Sequence, residues 1–208
     1  MKGSLVILAD GDFPTSEKAL RALDDAECVI ACDGAALKLL ASGRQPDHIV
    51  GDMDSLPADF QQRYAHIISR SACQETNDLT KAFRLAQSLS PSRITILGAT
   101  GRREDHTLGN ISLLLDYARE AACPVCMLTD FGRFEAIFDT ATLSSVKDQE
   151  ISIFAFDPTL NVKSAGLDYP TDSVVFDSLW KATLNVASGD SFSLELSHPC
   201  GVLVYFAD

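Results

Sequence analysis

The chain has 208 residues, enough to bury a full core as one large domain or two small ones. It is 46% hydrophobic and 22% charged, with a net charge of -12, so it has the composition of a globular protein and lacks a basic stripe for nucleic acid. No apolar run approaches the ~18–20 residues that span a bilayer, and the N-terminal apolar run is too short for a secretory leader.

Taken in chain order, the first part alternates short apolar runs with helical periodicity. Residues 5–9 read as a strand, and Asp10-Gly11-Asp12-Phe13-Pro14 as a loop. Thr15 or Ser16 is placed to cap a helix running to about Asp25. Residues 28–32 form a second strand, followed by Asp33-Gly34 and a helix carrying Ala35, Leu37, Leu39 and Leu40 that Gly43 stops. Residues 48–50 form a third strand and 65–69 a fourth; 78–89 follow as a helix with Leu79, Ala82, Phe83 and Ala86 on one face. A strand over 93–97, a long helix over 105–121 and a strand over 125–129 complete the alternation. Strands alternating with helices predict a mostly parallel sheet in an α/β domain.

The texture changes near Asp130-Phe131-Gly132. Beyond it, short runs at 134–138, 150–156, 161–164, 173–176, 192–196 and 202–206 are separated by turns such as Asp157-Pro158, Tyr169-Pro170 and His198-Pro199. This predicts a small all-β sandwich, with the domains at 1–131 and 132–208. The six cysteines are Cys28, Cys32, Cys73, Cys123, Cys126 and Cys200. Cys123-Pro124-Val125-Cys126 has redox or zinc spacing, but no second pair or histidine cluster completes it, so reduced thiols in a cytoplasmic protein are expected.

The chemistry gathers where strands end. Gly51-Asp52-Met53-Asp54-Ser55 follows the third strand, and paired carboxylates at a strand end suit Mg²⁺, which takes oxygen ligands and keeps several waters beside substrate phosphates. Asp33-Gly34 ends an earlier strand, and Asn77-Asp78 opens a later helix. Open parallel sheets bind ligands outside the carboxyl ends of their strands. Asp10-Gly11-Asp12 and Gly98-Ala99-Thr100-Gly101 are further such loops, whose glycines admit a phosphate to the backbone and whose N–H groups can donate to it. Arg102 and Arg103 beside the second of these loops can grip phosphate oxygens. Asp105 reads as a site residue or a helix N-cap, and His106 as a first-turn residue. There is no Walker A pattern, so P-loop chemistry is not indicated.

The ordered set of motifs resembles the thiamine pyrophosphokinase family. The matching pieces are Asp33-Gly34-Ala35, Gly51 to Ser55, Gln74-Glu75-Thr76-Asn77-Asp78 with Lys81-Ala82, Gly101 to His106 with Asn110, and Gly166-Leu167-Asp168-Tyr169-Pro170. The resemblance implies an ATP-binding α/β domain, a β-sandwich that helps bind thiamine, and a homodimer with active sites between subunits. It implies transfer of pyrophosphate from Mg-ATP to the thiamine hydroxyl, giving thiamine diphosphate and AMP. Asp33, Asp52, Asp54 and Asp78 would form the catalytic acidic cluster, with Asp52, Asp54 and Asp78 on Mg²⁺. Gln74, Asn77, Thr100, Gly101, Arg103, Asp105, His106, Tyr169 and Asn185 would contact substrates. Two departures stand out: the family often has Trp where Tyr169 stands, and Ser-Asn where this chain has Leu184-Asn185. A metal-dependent sugar-nucleotide transferase, an aspartyl-phosphate phosphatase and a non-catalytic sensor are the competing readings of the same carboxylates.

Overall fold

The computed structural model describes residues 3–70 and 76–208. The chain divides into two compact units, residues 1–130 and 131–208.

The first unit runs β1 (Ser4–Leu8), α1 (Glu17–Asp24), β2 (Cys28–Cys32), α2 (Ala35–Ala41), β3 (His48–Gly51), α3 (Ala58–Arg63), β4 (Ile68–Arg70), α4 (Asp78–Ser88), β5 (Arg93–Leu97), α5 (Glu104–Glu120) and β6 (Val125–Thr129). Every strand pairing in it is parallel, and the strand order is β6-β5-β1-β2-β3-β4. β2 is buried at every position, as expected for a strand covered by helices on both faces. α1 begins where the Ser16 hydroxyl accepts from the Ala19 N–H (3.3 Å), and it seats Ala19 and Leu23 in the core. The Asp130 carboxylate braces that same turn, accepting from the Thr15 and Ser16 N–H groups, both at 2.9 Å. α4 packs across β1, β2 and β3 through Leu79, Ala82, Phe83 and Ala86, the face that the periodicity predicts.

After β4 the chain returns to the other side of β1 to lay down β5. The connections leaving β1 and β5 therefore run to opposite sides, and the carboxyl ends of these two strands mark the topological switch point of the sheet.

The second unit runs β7 (Gly132–Ile137), β8 (Ala141–Ser144), β9 (Glu150–Ala155), β10 (Val162–Ala165), β11 (Asn185–Val186), β12 (Ser191–Leu196) and β13 (Val202–Ala207). Two antiparallel sheets, β11-β9-β13-β7 and β10-β12-β8, close on one core that includes Ile153, Val162, Phe192, Leu194, Val204 and Phe206. The alternating burial of β12 is the period-2 pattern of a strand with one face in a sandwich core.

Three features depart from the expectation. α3, β8 and β11 were not legible, and residues 173–176 form no strand. The apolar residues of that run anchor a loop instead: Phe176 is buried and Val174 packs against the sandwich core. The fourth strand is shorter and later than 65–69. Among the described residues, no helix is long and apolar enough to cross a membrane.

Candidate functional site

A cleft of about 620 Å³ opens in the first unit, lined by the loops after β1, β2, β3 and β5 and the starts of α4 and α5. Its floor is carboxylate. The Asp33 N–H continues the β2–β3 ladder by donating to the Val50 carbonyl (2.9 Å), which sets Asp33 beside Gly51. A Cβ on Gly51 would lie 3.0 Å from the Asp33 Cβ and 3.3 Å from Asp78 Oδ2, so the missing side chain lets the two acids approach. Met53, with φ 70°, turns into the core and is buried, which leaves Asp52 and Asp54 exposed on either side of it. Asp33, Asp52 and Asp54 each offer a carboxylate oxygen within 4.8 Å of the other two.

Gln61 holds this loop in place, its Nε2 donating to the carbonyls of Met53 (2.9 Å) and Leu56 (2.7 Å). It lies on α3, the helix without a sequence signal, and no motif pointed to it. Within the loop, Asp54 N–H donates to Asp52 Oδ1 (3.2 Å), Ser55 N–H to Asp33 Oδ2 (3.4 Å) and Ser55 Oγ to Asp54 Oδ1 (3.1 Å).

Asp33 is only 6% exposed, and its Oδ1 is buried without a hydrogen-bond partner. Burial pushes its carboxyl up to about 6, against the lowering effect of the Ser55 hydrogen bond. Asp54, fully exposed, is lowered, first by the Ser55 hydroxyl and then by Asp33. A buried, unpaired carboxylate oxygen is costly unless a cation meets it, and hard oxygen donors converging from two loops suit a divalent metal. The residues present therefore fit a metal. Asp78 is tied to Lys81 through Oδ1 (2.8 Å), while its Oδ2 faces Gly51.

The opposite wall lies at the switch point. The β1 and β5 loops are zipped together: Ala9 N–H donates to Leu97 O (2.8 Å), Gly11 N–H to Gly98 O (2.7 Å) and Asp12 N–H to Thr100 O (2.9 Å). Gly98 has φ 63°, and a Cβ there would lie 2.6 Å from the Ala9 carbonyl. These glycines therefore serve loop packing, and the Gly11 amide is committed to Gly98 rather than offered to a phosphate. Asp10, in a strand-end loop but given no role of its own by the sequence, lines the cleft and pairs with Lys38 (2.7 Å) and with Arg102 (3.1 Å). Arg102 sits in the left-handed region, φ 61°, at the cleft mouth.

Asn77, Gly101, Arg103, Asp105 and His106 all line the cleft. Asn77 also caps α4, its Oδ1 accepting from Thr80 N–H (2.9 Å). Asp105 is not an N-cap: α5 starts one residue earlier, and Asp105 grips Arg103 through two bonds (3.0 and 2.6 Å), which holds its carboxyl down at about 2. Thr100 is not among the lining residues and contributes its carbonyl to Asp12. Gln74 lies outside the described residues.

Tyr169 and Asn185 belong to the second unit. Tyr169 is 64% exposed. Asn185, expected to touch substrate, is 4% exposed and braces Tyr169. Its Nδ2 donates to Tyr169 O (2.7 Å), and its Oδ1 accepts from the N–H groups of Tyr169 (3.1 Å) and Val186 (2.9 Å). Leu184 beside it is 70% exposed with φ 58°, a strained conformation for leucine.

The family model described as thiamin pyrophosphokinase, catalytic domain, matches residues 19–127, and that described as thiamin pyrophosphokinase, substrate-binding domain, matches residues 132–205. The chain belongs to the thiamin pyrophosphokinase family. Among its relatives, thiamine pyrophosphokinase 1 of Oryza sativa subsp. japonica is 36% identical over 84 residues, which are 36% of this chain and 32% of that one. Thiamine pyrophosphokinase of Bacillus subtilis (strain 168) is 35% identical over 91 residues, 41% of this chain and 42% of that one. The chain thus spans between about a third and two fifths of the length of these curated relatives. In fold it is similar to the crystal structure of thiamine pyrophosphokinase from Bacillus subtilis, with a TM-score of 0.79 and 21% identity over 99% of this chain and 98% of the other. The parallel first unit and antiparallel second unit predicted from the sequence are the architecture that this family shares.

Proposed function

We propose that the chain is an ATP-dependent thiamine diphosphokinase, transferring pyrophosphate from Mg-ATP to the hydroxyl of thiamine and releasing AMP. The observation that carries this reading is the buried, unpartnered Asp33 Oδ1 converging with Asp52 and Asp54 on one cleft, inside the segment matched by the family's catalytic-domain model. Such a transfer requires mostly positioning and charge neutralisation. Mg²⁺, when bound, supplies neutralisation of the phosphate oxygens. Asp52 and Asp54 would hold it, Asp33 would present its unpaired oxygen to it, and Asp78 would complete the set. Arg102, Arg103 and His106 would meet the nucleotide's anionic groups at the mouth of the cleft. Tyr169, set by Asn185, would offer an aromatic face to the cationic thiazolium. We read the active form as a cytoplasmic homodimer whose sites lie between subunits.

The test is incubation with Mg-ATP and thiamine, followed by phosphorus NMR. AMP and thiamine diphosphate in equal amounts are expected. ADP with thiamine monophosphate would replace this reading with an ordinary kinase, and binding without AMP would mark a sensor.

A further inference from the structure

The second unit gathers a different donor set, unused by the proposed reaction. β9 and β13 pair in antiparallel register with Val202 opposite Ala155. Asp157 follows β9 and Cys200 precedes β13, each two residues beyond that last pair, which brings them to the same end of the sheet. His198 joins them, its Nε2 3.1 Å from Asp157 Oδ2. One ligand atom from each of Asp157, His198 and Cys200 lies within 4.8 Å of the other two, and all three residues are half-buried.

The surroundings orient these groups. Asp157 Oδ1 accepts from the Thr159 N–H (2.8 Å) and Oγ1 (2.6 Å), which turns Oδ2 toward His198. The other ring nitrogen of His198, Nδ1, is 3.0 Å from Ser197 Oγ, and Ser197 is itself held by Asn161, whose N–H donates to that hydroxyl (3.0 Å). Cys200 is anchored by its N–H to the Phe138 carbonyl (3.1 Å) and packs on the sandwich core. A carboxylate fixed by one oxygen and an imidazole fixed by its far nitrogen are the outer contacts that metal ligands carry.

We propose that Asp157, His198 and Cys200 form a transition-metal site of the zinc class, separate from the acidic cluster. Thiolate and imidazole donors select zinc-type ions over Mg²⁺, and three protein ligands leave a fourth position for water. Tetrahedral zinc spaces its ligand atoms roughly 3.3–3.8 Å apart, from its bond lengths, and the 3.1 Å between His198 Nε2 and Asp157 Oδ2 needs only a slight widening to meet it. The thiol proton leaves to solvent on binding. The location indicates a purpose. The connections β9 to β10 and β12 to β13 both cross between the two sheets, and the three ligands lie on those two connections. A bound ion staples one end of the sandwich.

The experiment uses the full chain, reduced and stripped with EDTA, titrated with Co²⁺ alone. One equivalent should bind with a thiolate-to-cobalt charge-transfer band in the near ultraviolet, and Zn²⁺ should displace it. Cys200→Ser should abolish the band, and His198→Asn should weaken binding at least about tenfold, since even outer contacts matter on that scale. The double change Cys123→Ser with Cys126→Ser should leave the band intact. Circular dichroism reports whether each variant is folded. Absence of a band in the unaltered protein, an unchanged titration in His198→Asn, or a band that follows Cys123 and Cys126 would overturn the proposal and leave the trio a hydrogen-bonded brace. Cobalt held by the acidic cluster gives no thiolate band, so the outcome is independent of the reaction proposed above.

Discussion

At the residue scale, the acidic cluster sets two expectations. Asp52 and Asp54 are exposed on a polar loop, so Asp52→Asn or Asp54→Asn should leave the fold intact. Each should lower turnover by at least about a hundredfold, the scale lost with one electrostatic stabiliser. Steady-state kinetics on both variants checks this, and near-normal rates would remove the loop from the active site. Asp33 behaves differently because it is buried. Its folded carboxyl lies near 6, above the ordinary value of 3.8. The folded state therefore holds the proton more tightly, and this contribution to stability is full below about pH 4 and is lost as pH rises through about 6. In metal-free protein, Asp33→Asn should become more stable relative to the parent across that window, by at most about 3 kcal/mol given 1.36 kcal/mol per unit. Urea melts at about pH 4.5 and pH 7 measure the difference, and saturating Mg²⁺ should shrink it by neutralising the ionised carboxylate. A gap that does not change with pH would show that Asp33 does not carry the buried charge.

At the element scale, α3 is the least conspicuous helix and carries a decisive side chain. Gln61 ties the helix to two carbonyls of the loop that follows β3. Gln61→Ala removes both bonds, so it should lower stability by about 1–3 kcal/mol, at 0.5–1.5 kcal/mol for each bond. It should also raise the Mg²⁺ concentration needed for half-maximal turnover more than the ATP KM, because the loop rather than the nucleotide wall is loosened. A variant that melts earlier with an unchanged Mg²⁺ requirement would confine Gln61 to folding. The β1 and β5 loops show the same economy of backbone: amides of the β1 loop donate to carbonyls of the β5 loop, which braces the switch-point wall.

At the scale of the whole molecule, the two units answer different chemical demands. A parallel sheet with helices on both faces presents several loops at one edge, which suits an anionic, metal-bridged ligand. A sandwich offers a stiff frame for an exposed aromatic side chain. Tyr169→Ala should raise the thiamine KM by roughly 2- to 30-fold, the factor implied by a cation–π contribution of ~0.5–2 kcal/mol, with little change in the ATP KM. Equal shifts in both constants would argue for a general disturbance. The assembly is expected to be a dimer, so light scattering should return twice the 22.5 kDa chain mass. Activity that persists in a strictly monomeric preparation would refute shared sites.

Alternation of apolar runs with helical periodicity was enough to determine the class of the first unit, because burial on both faces forces continuous apolar strands such as Cys28–Cys32. Turn residues at short intervals likewise marked the second unit as β. The order of Asp33, Asp52, Asp54 and Asp78 along the chain carried the family resemblance. Tertiary structure decided what each group does. Asn185 was legible only as part of a motif, and that it is buried and braces Tyr169 was not, since burial of one amide depends on distant neighbours. The glycine loops looked like phosphate cradles, but the Gly11 amide is claimed by the Gly98 carbonyl of the facing loop. Asp157 and Cys200 are 43 residues apart in the numbering, and only the register of β9 with β13 brings them to the same end of the sheet. Local pattern records which face of an element is apolar. Which polar groups meet, and whether water reaches them, is set by strand order and register, to which no single stretch of sequence is confined.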